Sequence, residues 1–281
     1  IHSNQSGQQH AEQAARHLSG DLWKRTQKAL EDETISLQDN EKLVSLVGAS
    51  FQKHQNLCEA RYKRDVADTL MAKKEELEKE LGDEVPMELP QEGGTTATVA
   101  LLHKRGLLVA WVGDSRALLG VQGDGEGAGL QAVPLTRDHN LDDEAERLRL
   151  LKAGGKSGRE LLHKHVSVPG VEGSLKVTRS LGDSPFHKGD AVSSTPGVRH
   201  FALSPATRFL VIASDGIWDH LSNEQARTCF RSSRYTLSVS HPAEPPLTRE
   251  PMPSPARPRG SNRVARATRS SVWSMRAYAN T

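Results

Sequence analysis

Apolar positions in the first eighty residues recur with a helical period. Ala11, Ala14, Ala15, Leu18, Leu22 and Ala29 fall three or four residues apart, or multiples of that, which predicts helix from His10 to Leu30. Gly20-Asp21 interrupts the run and predicts a break into two helices. A second helical region extends from Glu41 to about Leu81. Leu43, Leu46, Val47 and Phe51 form one stripe, and Val66, Leu70, Leu77 and Leu81 continue it. Such a stripe packs a helix pair on one face of a core, with a coiled-coil partner site as the alternative. The run Lys73 to Glu80 reads as a solvated face with Lys/Glu pairing. Pro86 and Pro90 stop the helix.

Beyond them the pattern turns to strands. Thr95–Leu102 is rich in Thr, Val and Leu, Gly106 marks a turn, and Leu107–Val112 is apolar, so the two runs predict a β-hairpin. Ala117–Val121 predicts a third strand, Leu130–Leu135 a fourth, and Phe209–Ala213 a short apolar strand entering Ser214-Asp215-Gly216. Asp142-Asp143 opens a helix for which Gly154-Gly155 supplies a C-cap. Gly123–Gly129 is a glycine-rich acidic loop with no helix after it. It is therefore not a phosphate-binding loop, which needs a helix N-terminus behind the glycines. From about Arg231 to Thr281 the chain is Pro, Ser and Arg without periodicity, which predicts a disordered tail. No internal repeat is visible.

Composition adds three constraints. Of 281 residues 36% are hydrophobic and 4% aromatic, low for a fully compact domain, so part of the chain must be solvated helix or tail. The net charge of +2 is unevenly spread. Residues 231–281 hold nine Arg against two Glu, which leaves a mildly acidic body and a basic tail. That balance argues against a dedicated nucleic-acid binder, and the tail has few interleaved aromatics, Trp273 and Tyr278 near its end and Tyr235 at its start. Cys58 and Cys229 are too few and too far apart in sequence for a disulfide framework or a zinc site, and reduced thiols fit a cytoplasmic or nuclear setting. No apolar run approaches the length of a membrane-spanning helix, and no signal-peptide pattern is present. The chain begins at Ile1 and reads as a fragment.

Five segments, in order, carry a resemblance. GGTTATVALL (93–102), WVGDSRALL (111–119), PLTRDHN (134–140) followed by Glu146, Arg147 and AGG (153–155), GSLKVTRSLGD (173–183) and FLVIASDGIWDHLSNEQA (209–226) resemble the type 2C (PPM) metal-dependent protein serine/threonine phosphatases. The resemblance implies an α+β fold, an antiparallel β-sandwich flanked by helices. It spans residues 1–230, with a helical insertion at about 41–85, and leaves the sandwich incomplete at both ends. It implies hydrolysis of phosphoserine and phosphothreonine in phosphorylated protein substrates by a dinuclear Mg²⁺ or Mn²⁺ centre. Hard divalent cations take oxygen ligands, so carboxylates carry such a site. Asp215 then stands as a metal ligand, projecting from a strand end, with Asp114 of GDSR as an accessory ligand. Asp183 and Asp219 read as structural, and Arg116 and Arg179 as partners of carboxylates in the same chain.

The departures are as specific. The family's D-G-H-G-G segment falls on Ser3, Asn4, Gln5, Ser6 and Gly7. The bridging Asp is then Ser3, and the general-acid His is Gln5, which leaves no catalytic side chain to assign. After Phe230 nothing resembles the family's late Asp-Asn pair; Ser261-Asn262 lacks the Asp. The resemblance thus implies a metal-dependent phosphatase whose activity in this chain is impaired. A truncated or mis-spliced product is one explanation of the abrupt loss. The alternative is a non-catalytic pseudophosphatase, a scaffold or phosphoprotein-binding module.

Overall fold

The computed structural model describes residues 5–31, 40–79, 92–103, 106–125, 127–153 and 165–231. Ser3 and Asn4, the prolines at 86 and 90, the Gly154-Gly155 cap and the basic tail after Arg231 lie outside them.

Two long helices come first, α1 (Gln5–Glu31) and α2 (Asn40–Lys79). The expected break at Gly20-Asp21 does not occur, and α1 runs through it. A mid-helix glycine costs only ~0.5–1 kcal/mol relative to alanine, which the packing around it offsets. That packing is the predicted stripe. Ala14, Leu18 and Leu22 of α1 meet Leu43, Val47 and Phe51 of α2, all buried, in one cluster with Leu108, Ala110 and Val112. The early part of the α2 stripe therefore belongs to a helix pair set on a sheet, while Leu70 and Met71, further along α2, are exposed.

That sheet has the order β2 (Ala97–His103), β3 (Gly106–Val112), β7 (Gly197–Ala202). A second sheet has the order β5 (Leu130–Pro134), β4 (Arg116–Gln122), β8 (Thr207–Ala213). A two-residue ladder joins β1 (Gly94–Thr95) to β6 (Leu181–Gly182), and all these pairings are antiparallel. The strand β3 explains how the layers stack. Every one of its residues is buried. Leu108, Ala110 and Val112 point to the helices, whereas Leu107, Val109 and Trp111 pack with Ala117 and Leu119 of the second sheet and with Leu135 just after it. Side chains alternate along a strand, so one strand with apolar residues at both parities faces two layers. The outer face of the second sheet, through Leu118, Val211 and Ala213, is covered by Trp218 of α4 (Asp215–Trp218) and Ala226 of α5 (Asn223–Arg231). The order of layers is helix pair, sheet, sheet, helices, which is the antiparallel sandwich flanked by helices that the resemblance implied.

The hairpin, the strands at 117–121 and 209–213 and the helix after Asp143 stand where the sequence placed them. The fourth strand ends at Pro134, one residue early. Helix α3 (Glu144–Lys152) is capped by the Asp143 carboxylate, which accepts from the Ala145 N–H at 2.8 Å. A smaller cluster of Leu141, Leu150, Val166, Val168, Phe186 and Val192 ties α3 to the segment 165–192. Cys58 is buried on α2 and Cys229 is exposed, and both are free thiols.

Candidate functional site

Strand register brings Asp114 and Asp215 together. Arg116, the first residue of β4, pairs with Ala213, the last of β8. Asp114 lies two residues before the one and Asp215 two residues after the other. The strands are antiparallel, so both carboxylates emerge at the same end of the second sheet. Asp215 opens α4, and its carbonyl accepts from the Asp219 N–H at 2.8 Å.

Asp114 sits on a bend that only glycine permits. Gly113 has φ +93°, and a Cβ there would lie 2.3 Å from Cγ2 of Thr96. The bend is fixed on both sides. The Gly113 carbonyl accepts from the His139 N–H at 3.0 Å. The hydroxyls of Thr96 and Ser115 are 2.8 Å apart. His139 in turn stacks on Trp111 at 5.6 Å between ring centroids, and the Trp111 indole donates to the Arg137 carbonyl at 2.7 Å. The GDSR and TRDH segments thereby lock each other in place.

The electrostatics at this end are acidic. Burial pushes the Asp114 carboxyl up, and the neighbouring Asp215 pushes it further. A backbone hydrogen bond offsets part of this, Asp138 and Asp219 add to it, and the result is about 6. Asp138 and Asp219 were not anticipated here. Asp138 was visible in TRDH, but nothing in the spacing said that it would share a sheet end with Asp114. Its charge is answered by Arg116, which donates to both of its oxygens at 2.7 and 2.8 Å and lies 5.9 Å from the Trp218 ring. Arg116 is thus a carboxylate partner, as expected. Asp114 and Asp215 fit a hard divalent cation, because a positive ion relieves the repulsion that raises Asp114. Among the described residues, however, no group of three or more His, Cys, Asp or Glu side chains is close enough to hold one. Gln5 falls in the first turn of α1, and Ser3 and Asn4 lie outside the described residues.

Two further networks support the scaffold. Glu146, 2% exposed, accepts from Arg179, from Arg149 at 3.1 Å and from the Thr178 hydroxyl at 2.6 Å. Burial would raise this carboxyl, but the hydrogen bonds from Arg179 and Thr178 outweigh it and hold it at about 2. Arg179 is therefore committed to a carboxylate, again as expected. Asp183 is buried beside Gly94, so closely that any side chain at 94 would strike its carboxylate. It caps no helix with its side chain. It fills the seam between β1 and the 3₁₀ turn Ser184–Asp190, with His10 and Glu92 nearby, 3.4 Å apart. Asp219 is exposed at the C-terminus of α4.

The family model for protein phosphatase 2C matches residues 4–240. The chain is 40% identical over 139 residues to protein phosphatase 1L of Bos taurus, an alignment covering 48% of this chain and 34% of that protein. It is 37% identical over 139 residues to probable protein phosphatase 2C 11 of Oryza sativa subsp. japonica, covering 47% and 34%. The chain thus spans about a third of the length of these curated relatives. Its fold is similar to the crystal structure of serine-threonine phosphatase 2C from Toxoplasma gondii, with TM-score 0.51 and 22% identity over 77% of this chain and 67% of that one. It is similar to the same degree, TM-score 0.51 at 22% identity, to a C. elegans sex determining protein, over 81% of this chain and 44% of that one. The layered sandwich, the five ordered segments and a model match across most of the sequence agree, and the chain belongs to the protein phosphatase 2C family.

Proposed function

We propose that this chain carries the phosphatase site of a metal-dependent protein serine/threonine phosphatase in reduced form, with Asp215 and Asp114 as its remaining metal ligands and phosphorylated proteins as its substrates. The observation that carries this reading is the convergence of two carboxylates at one end of the second sheet, with Asp114 raised to about 6 by burial and by Asp215. Mg²⁺ or Mn²⁺ bound there would acidify a water and stabilise charge on a phosphoryl group. The chain's own residues do the holding. Gly113 and the Thr96–Ser115 hydroxyl pair fix the direction of Asp114, and the start of α4 fixes Asp215. Arg116 and Arg179 are both bound to carboxylates, so neither is set to clamp a phosphate.

Two ligands make a weak site, since divalent-cation affinity rests on several converging oxygens. Ser3, Asn4 and Gln5 stand where the family pattern has Asp, Gly and His, and a hydroxyl or amide is a poor substitute for a carboxylate. Turnover of p-nitrophenyl phosphate or a phosphothreonine peptide with Mn²⁺ is therefore expected to be negligible. Robust turnover abolished by EDTA and by Asp215→Asn would refute the impairment. Absence of turnover with retained binding of a phosphoprotein would favour the scaffold reading.

A further inference from the structure

Gly20 has no packing reason to be glycine. A Cβ built there meets nothing within 4 Å, its φ is not in the left-handed region, and α1 passes through it without a break. Yet glycine in a helix interior is destabilising. What its bareness creates is a groove. Arg16, Gly20 and Lys24 stand four residues apart on one face of α1, and Ser50, His54 and Leu57 line up at helical spacing on α2. Between them lies a cleft of about 290 Å³.

The cleft is cationic. Its acidic residue, Asp21, accepts from Lys53 at 2.6 Å and from Arg25 at 2.7 Å. Burial works against ionisation of Asp21, but those two bonds prevail and hold it at about 2. Its charge is therefore answered within the fold. Arg16 is 74% exposed and only 3.7 Å from an exposed Glu12 oxygen, a contact too solvated to hold it. Lys24 is exposed and also lines the cleft, as does His17. His54, 3% exposed, contributes to the lining, and its Nε2 has no hydrogen-bond partner among the described residues. That nitrogen is sealed from the cleft, so the exposed cations Arg16 and Lys24 are the groups left to meet an anion.

We propose that this groove between α1 and α2 binds a phosphate monoester, with Arg16 and Lys24 on the anion and Gly20 leaving the space it occupies. Several oxygens on one small dianion match two exposed cations. A volume of about 290 Å³ suits a phosphorylated side chain or a small phosphate ester and is tight for a nucleotide. The groove shares no element with the Asp114–Asp215 cluster, which stands on the β3–β4 bend and the start of α4. The proposal is therefore independent of the metal chemistry.

The test is binding in EDTA, which removes any contribution from a divalent-cation site. The full chain is titrated into a fluorescein-labelled phosphoserine peptide, the same peptide without phosphate, and, by competition, free phosphoserine and inorganic phosphate. Phosphate-dependent binding is expected that weakens at least about tenfold in Gly20→Glu and in the double variant Arg16→Ala/Lys24→Ala, the size of a lost charge-assisted contact. Gly20→Glu adds a side chain into open space on a helix, so its melting temperature should match or exceed that of the parent. Tight binding of the peptide with weak competition by free phosphoserine identifies a peptide ligand. Equal competition identifies a small ester. No phosphate-dependent binding, or binding unchanged in both variants, overturns the proposal.

Discussion

Replacing Glu146 with Gln removes one negative charge from a buried network and changes almost no volume. The carboxylate is held at about 2 against an ordinary value of 4.5. A shift of that size corresponds to about 3 kcal/mol of folding stability at neutral pH. Because the folded value is depressed, this contribution is complete above about pH 5 and is lost as pH falls from there through about 2. A second route gives the same size. Breaking a buried ion pair by removing one partner costs ~3–5 kcal/mol, and here Arg179 and Arg149 would both be left facing a neutral amide. Thermal denaturation at pH 7 should therefore show Glu146→Gln melting roughly 6–12 °C below the parent. Between pH 5 and 2 the two curves should converge, since the parent loses what the variant already lacks. A variant that melts within 1 °C of the parent at pH 7, or a difference that persists unchanged to pH 2, would refute the assignment of Glu146 as an ionised anchor of the segment around Thr178 and Arg179.

Asp183 should behave in the opposite sense. Burial, with Glu92 nearby, raises it to about 6, so its contribution to stability is present below about pH 4 and lost as pH rises through 6. Asp183→Asn should stabilise the chain by about 1–3 kcal/mol at pH 8 and be neutral near pH 4, and an equal effect at both would contradict this. Asp114→Asn should also raise the melting temperature of the metal-free chain above pH 6, while abolishing the weak Mn²⁺ binding expected by calorimetry. Tight Mn²⁺ binding by the unmodified chain would show that further ligands converge there. Gly113→Ala should cost about 2–4 kcal/mol, because the new Cβ meets Thr96 at 2.3 Å and φ is +93°; a folded variant with unchanged denaturant midpoint would count against the bend as described.

The local structure was legible wherever one residue pattern had one meaning. The stripe Leu43, Val47, Phe51 read as the core face of a helix pair, against a coiled-coil alternative, and Leu107–Val112, following a turn glycine, read as a strand with apolar residues at both parities. Gly20-Asp21 misled because a glycine lowers helix propensity without forbidding a helix, and the packing of Leu18 and Leu22 decided the matter. The strand β7 escaped notice because GVRHFA offers few apolar positions and its place is set by pairing with β3, a partner about ninety residues earlier. Its side chains are mostly half-buried, so no strong alternation marks it.

The sequence by itself determined the family, most of the order of elements and the choice of Asp114 and Asp215 as the carboxylates to examine, because those rest on short segments read in order. It also set the expectation that Ser3, Asn4 and Gln5 stand where the family pattern has Asp, Gly and His. Only the tertiary structure decided which charges meet. Antiparallel register between β4 and β8 places Asp114 beside Asp215, and the loop after β5 adds Asp138. Arg116 and Arg179 are consumed by Asp138 and Glu146, residues 22 and 33 positions away. The groove between α1 and α2 has the same origin. Its walls come from two helices whose relative rotation is fixed by the apolar stripe on their facing sides, and a linear pattern of charges carries no record of that rotation.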